Sequence, residues 1–115
     1  MSKVARARAF DMAERGYFAH VTPEGEGANR IVSRAGYALP DPYGTKESAN
    51  NIEAIASGKA TADATWQVWM DSPRHKAQLL GTAPFYRDQS DYGVGFADVK
   101  GSRYRFFWVL IAARH

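Results

Sequence analysis

Two histidines, a few carboxylates and a pair of asparagines are the side chains here that could do chemistry. His20 lies in Phe18-Ala19-His20-Val21-Thr22-Pro23-Glu24-Gly25, which its proline and glycine mark as a loop. His75 is the third residue of a helix opened by Ser72-Pro73. Serine is a good N-cap, and proline is tolerated at the first helical position. The positive end of a helix disfavours imidazolium, so His75 is expected to be neutral near neutral pH. Neutral imidazole is the form that ligates a metal or acts as a general base. No ligand-spaced motif links the two rings. On the residues alone, two unrelated loop and cap histidines is the plainer reading, and a paired site is the alternative. A third histidine, His115, ends the chain and says little.

The carboxylates that could join them are Glu47, Glu53 and Asp71. Glu53 stands between Ile52 and Ala54, where a charge wants either a partner or an open cleft. A salt bridge to an arginine is its plainer reading. Asp71 precedes Ser72-Pro73 and would favour the helix N-terminus electrostatically. Asn50 and Asn51 could polarise a substrate, or could bond turn-like to the backbone at a strand start. The chain has no cysteine, which excludes disulfides, thiolate metal sites and a cysteine nucleophile.

The elements that must position these groups follow from periodicity. Lys3 to Tyr17 predicts a helix with Phe10, Ala13 and Tyr17 on one face and Gly16 near its stop. Ala28 to Ala35 predicts a short second helix, and Ser48 to Ala56 a strand. Thr61 can cap a helix whose buried stripe is Trp66, Trp69 and Met70. A further short helix runs from Ser72-Pro73 through His75 to Leu80. Tyr92 to Val99 and Tyr104 to Ala112 form a hairpin joined by Lys100-Gly101-Ser102. The last strand is apolar on both faces, so both are expected to be covered. Its partner pairs Tyr92, Val94 and Phe96 on one side with Gly93, Gly95 and Ala97 on the other. That bare side allows a helix or ligand to approach the backbone closely. The fold class is therefore α+β: a three-layer α/β/α sandwich with a small antiparallel sheet of about three strands, covered by helices on both faces.

At 115 residues the chain is read as one domain, residues 1–115. Its longest apolar run, Phe106 to Ala113, is far short of the ~20 residues a membrane helix needs. No apolar signal-peptide core follows Met1. Net charge is only +3, with the basic residues spread along the chain. The one compact basic stretch, Lys3, Arg6 and Arg8, reads as a solvated helix face. Without a basic stripe, nucleic-acid binding is not expected.

The ordered series His20-x-x-Pro23-x-Gly25, Arg30 to Gly36-Tyr37, Asn50-Asn51-Ile52, Trp69-Met70-Asp71-Ser72-Pro73-x-His75-Lys76, Leu79-Leu80 and Tyr92-Gly93-Val94-Gly95 resembles one family. It is the SCP-like family, the bacterial branch of the superfamily of cysteine-rich secretory, antigen 5 and pathogenesis-related (CAP) proteins. The resemblance spans roughly Phe10 to Ala112. It implies the same sandwich and a largely extracellular setting. It also implies a cleft with two histidines and two acids, sometimes holding zinc or another divalent ion. His20 and His75 match the histidines and would be the metal ligands. The family's Gly-Glu-Asn-Ile is Ala49-Asn50-Asn51-Ile52 here, so Asn50 takes the first acid's place. The second acid falls near Asp71 or Ser72. Glu53 could supply a carboxylate, but strand alternation places it opposite Asn50 unless a bulge intervenes. The chain begins at what resembles the family's second helix.

Three functions follow as expectations. One is an extracytoplasmic module binding a small ligand, lipid, glycan or peptide in a cleft of His20, Asn50, Glu53, Asp71, Ser72 and His75. Another is a metal-assisted hydrolase of peptide or cell-wall substrates, with His75 as base or ligand and Glu53 as acid/base. The third is an interaction domain with a vestigial cleft.

Overall fold

A computed structural model describes residues 1–114, so His115 lies outside the described residues. In chain order the elements are α1 (Ser2–Arg15), α2 (Ala28–Arg34), β1 (Glu53–Ser57), α3 (Ala62–Met70), α4 (Pro73–Leu80), β2 (Asp91–Asp98) and β3 (Phe106–Ala113). Single 3₁₀ turns lie at Asp41–Tyr43 and Pro84–Tyr86. The three strands form one antiparallel sheet ordered β1-β3-β2. Glu53 pairs with Ile111 at one end of the register, and Gly93 and Gly95 pair with Ile111 and Val109 on the other side of β3.

Packing on the sheet's first face is set by small residues. α1 buries Ala5, Arg8, Ala9, Met12 and Ala13. These positions recur at i, i+3, i+4, i+7 and i+8, one helical stripe. The stripe is displaced from the expected one, since Phe10 and Tyr17 are only half-buried. Close approach is the reason. A Cβ at Gly95 would lie 2.2 Å from the Ala5 carbonyl carbon, and one at Gly93 would lie 2.3 Å from that of Met1. Glycines in β2 and alanines in α1 therefore let helix and strand backbones nearly touch. Phe107, Val109 and Ile111 complete this core with Ile52 and Val32.

On the second face Trp69 packs over Ala54 and Ala56 of β1, with Met70, Leu79, Trp108 and Leu110 around it. The Trp69 indole N–H donates to Ile55 O at 3.0 Å. Coverage here is partial. Trp66, expected in the buried stripe, is 41 % exposed, and Tyr92, Val94 and Phe96 also stay exposed. The two helices lie over β1 and part of β3, leaving the outer face of β2 open. The arrangement is the expected α/β/α sandwich, covered unequally.

Local signals set most boundaries. Thr61 caps α3, its side chain accepting from the Ala64 N–H at 3.2 Å. Gly16 and Gly81 end α1 and α4 at φ 73° and 64°, a left-handed conformation that glycine adopts without a Cβ penalty. Ser72 sits at the N-cap of α4, yet its side chain makes no capping bond. The expected strand over 48–56 is shorter. Residues 50–52 are irregular, and β1 begins at Glu53.

Candidate functional site

The start of β1 is built by asparagines. Asn50 Oδ1 accepts from the backbone N–H groups of Glu53 (2.9 Å) and Ile52 (3.2 Å), and its Nδ2 donates to Glu53 O at 3.2 Å. Asn51 pairs with Asn29 of α2: Asn29 Nδ2 donates to Asn51 Oδ1 at 2.8 Å. Asn51 Nδ2 donates to Tyr43 O at 3.3 Å. Both asparagines thus do what a turn before a strand requires. The turn also removes the alternation problem. Because residues 50–52 are not strand, Asn50 and Glu53 reach the same cleft without a bulge.

Glu53 is 1 % exposed, and its partner is Arg8 of α1. Arg8 Nε donates to Glu53 Oε2 at 2.8 Å and Nη2 donates to Oε1 at 3.0 Å, a two-point contact. Arg8 is only 3 % exposed, so this arginine is not part of a solvated face; Lys3 and Arg6 are. Its remaining donors reach Tyr17 Oη at 2.6 Å and Ala19 O at 2.9 Å. Burial pulls the guanidinium's pKa down, but bonds and charges from Glu53 and Tyr17 outweigh it and raise the pKa above its ordinary value. Tyr17 also donates a short hydrogen bond to Asp11. Burial first, then that bond, push the phenol up to about 12.

Through Ala19 O and Glu53, Arg8 fixes the loop that carries His20. His20 Nδ1 lies 3.1 Å from Glu53 Oε1. A carboxylate only accepts, so Nδ1 carries the proton and Nε2 is left as the free ring nitrogen. His75 comes from the first turn of α4 on the other side. Its pKa is lowered by burial first, and then by the nearby His20 and Arg74 charges. The direction is the one expected of a helix N-terminus, but burial is the leading cause. His75 Nδ1 is buried without a hydrogen-bond partner.

His20, Asn50, Asn51, Glu53, Arg74, His75, Gln78 and Tyr86 together line a cavity of about 120 Å³. The fold therefore brings His20, Asn50, Glu53 and His75 to one place. Asp71 and Ser72 are not among its lining residues. Asp71 is exposed, and its carboxylate accepts from Gln67 Nε2 at 2.7 Å. Arg74, Gln78 and Tyr86 carry no signal in the sequence, and Arg8 reads there only as part of a solvated basic face. The signal that could have set Arg8 inside is its spacing, since it falls on the same helical stripe as Ala5, Ala9 and Met12.

The donor set does not fit a resident divalent ion. Structural zinc takes four ligands and catalytic zinc three, all deprotonated. Here Glu53 is committed to Arg8 and His20, and Asn50 spends its amide on the strand start. Two imidazoles remain. Among the described residues no group of three or more His, Cys, Asp or Glu could hold a metal ion.

The lowered His75 pKa has a consequence for stability. The unfolded chain takes up this proton more readily than the folded one, so His75 favours the folded state above its ordinary pKa of 6.5, and that contribution is lost as pH falls. Stability measured by urea unfolding is expected to drop between pH 7 and 5, and His75→Gln is expected to flatten the drop. An unchanged slope in that variant would assign the acid sensitivity elsewhere.

A model described as the cysteine-rich secretory protein family matches residues 1–111. Among solved structures, an outer surface protein of Borrelia burgdorferi is similar, with a TM-score of 0.68 and 23% identity; the alignment covers 99% of this chain and 73% of that one. At that identity the likeness shows the fold alone. No curated protein matches the chain. The family model covers nearly the whole chain, including both cleft histidines, the asparagine turn and the Trp69-to-His75 segment. With the sandwich that joins them, this shows that the chain belongs to the cysteine-rich secretory protein, or CAP, family.

Proposed function

We propose that this chain is an extracytoplasmic ligand-binding module whose cleft lies between His20 and His75. The observation that carries the reading is the cleft itself: a polar cavity lined from several separate segments, with the one carboxylate that could do acid–base work held by Arg8. Such a carboxylate is a poor general acid or base, because moving its proton breaks a buried ion pair. Two imidazoles, amides and a tyrosine suit hydrogen-bonded recognition better than hydrolysis. The setting is supported by the outer surface location in the neighbour's name. No helix among the described residues is long and apolar enough to cross a membrane.

The test is an NMR titration of labelled protein with N-acetylglucosamine oligosaccharides, short neutral peptides and a lysolipid. The expected result is saturable shifts at His20 and His75 for at least one probe, weakened at least tenfold in His20→Ala and His75→Ala while the rest of the spectrum is unchanged. Binding that survives both substitutions would show the cleft to be vestigial. In the same protein, zinc is expected to be removed by dialysis. Tight zinc lost in both variants would instead favour metal-assisted hydrolysis.

A further inference from the structure

We infer that the cleft receives the carboxylate group of a small ligand, gripped by Gln78 and Arg74 beside His75; this rests on the ligand-binding reading above. Gln78 projects from α4 and is only 7 % exposed, yet its Nε2 has no hydrogen-bond partner. A buried amide donor left unmade keeps its full desolvation cost, so folded proteins rarely leave one. His75 Nδ1, one turn earlier on α4, is buried and unpartnered in the same cavity. Two orphaned polar atoms on residues that line one cavity mark a place that a ligand completes.

The other polar atoms around them say which ligand. The Asn50 amide donates to Glu53 O, and the Asn51 amide donates to Tyr43 O. The acceptor that would repel an anion, Glu53, is matched by the Arg8 guanidinium at 2.8 Å and 3.0 Å. Arg8, which pairs with Glu53 but is not among the lining residues, offsets that carboxylate, so Arg74 at the exposed rim is the charge of the lining left without a partner of opposite sign in the cleft. What the cleft has to offer is therefore a buried amide N–H, a guanidinium and the Tyr86 hydroxyl. Arginine binds carboxylates through paired N–H donors. A space of about 120 Å³ admits a carboxylate and the few atoms attached to it, not an extended chain. The group could be a peptide C-terminus or the acid of a sugar.

The experiment titrates labelled protein with four probes: acetyl-alanyl-alanine, its C-terminal amide, N-acetylmuramic acid and N-acetylglucosamine. The Gln78 side-chain amide and the His75 ring are observed by NMR. At least one free acid is expected to shift both groups saturably and to bind at least tenfold more tightly than its neutral counterpart. Gln78→Leu and Arg74→Gln are each expected to weaken it about tenfold with the remaining spectrum intact. Preference for the peptide acid names a chain terminus, and preference for muramic acid names an acidic sugar. Equal binding of acid and neutral counterpart overturns the inference while the binding-module reading stands. Silence from all four probes also overturns it, and that reading is then judged on the oligosaccharides, longer peptides and lysolipid alone.

Discussion

Replacing Arg8 with methionine is expected to destabilise the folded chain by about 3–5 kcal/mol, the cost of stranding a buried charge. The side chains of Arg8 and Glu53 are 3 % and 0 % exposed, so solvent cannot screen what is left behind. The change also removes the bonds to Tyr17 and Ala19 O, the second of which holds the His20 loop. Arg8→Lys should recover little, because a lysine ammonium cannot span both carboxylate oxygens and the Ala19 carbonyl together. The informative comparison is the double variant Arg8→Met/Glu53→Leu. Removing both charges replaces a costly pair by apolar volume and is often nearly neutral. The double variant is thus expected to be more stable than Arg8→Met alone, with a coupling energy above about 1 kcal/mol in a double-mutant cycle. Urea midpoints at constant m-value read this directly. Glu53→Leu is the other single arm, and a double variant that folds where Arg8→Met does not would show the coupling directly. Strictly additive losses would show that the two side chains do not act as a pair.

The Arg8–Glu53 pair also shows what the sequence could and could not convey. Glu53 announced itself, since a carboxylate between Ile52 and Ala54 demands a partner, and an arginine was the plain choice. Which arginine was hidden. Arg8 sits beside Lys3 and Arg6, where charge alone suggests solvent. Only the spacing of Ala5, Arg8, Ala9 and Met12 sets it inside, and a stripe made largely of alanine is weak evidence of a buried face. The sheet was easier to read. Two apolar faces on β3 and the Gly93, Gly95, Ala97 row on β2 required close cover on one side, and α1 supplies it. Trp66 misled because helical spacing says which residues share a face but not how far the neighbouring layer extends. α3 and α4 stop short of β2, so a tryptophan on the expected stripe remains 41 % exposed. At the site, His20, Asn50, Glu53 and His75 were legible by residue type and by family resemblance. Gln78 was not, because a glutamine in a surface-like helix pattern has no reason to be noticed until its amide is found buried and unpaired.

Gly95→Ala tests the coupling between that tight packing and the site. The glycine lies in regular strand, so alanine meets no backbone objection there, and the whole cost is steric. Its new methyl carbon would sit 2.2 Å from the Ala5 carbonyl carbon and from Arg6 N, and 2.4 Å from Ala5 O. All three are backbone atoms, so no side-chain rotation relieves the contact; α1 must move off the sheet. The expected cost is about 3 kcal/mol, at the upper end for overpacking. Gly16→Ala is the contrast. Its Cβ meets nothing within 4 Å and the penalty is only the left-handed φ of 73°, so about 1 kcal/mol is expected. Adding Ala5→Gly to Gly95→Ala should not restore stability, because the clash is with backbone that glycine keeps. Rescue by Ala5→Gly would show that side chains, not main chains, set the helix–strand distance. The displacement carries further, since Arg8 lies one turn along α1 from Ala5. A helix lifted at Ala5 draws the guanidinium from Glu53 and loosens its hold on the His20 loop. Folded Gly95→Ala protein should therefore show altered His20 and Glu53 side-chain resonances, although Gly95 is not among the residues lining the cleft.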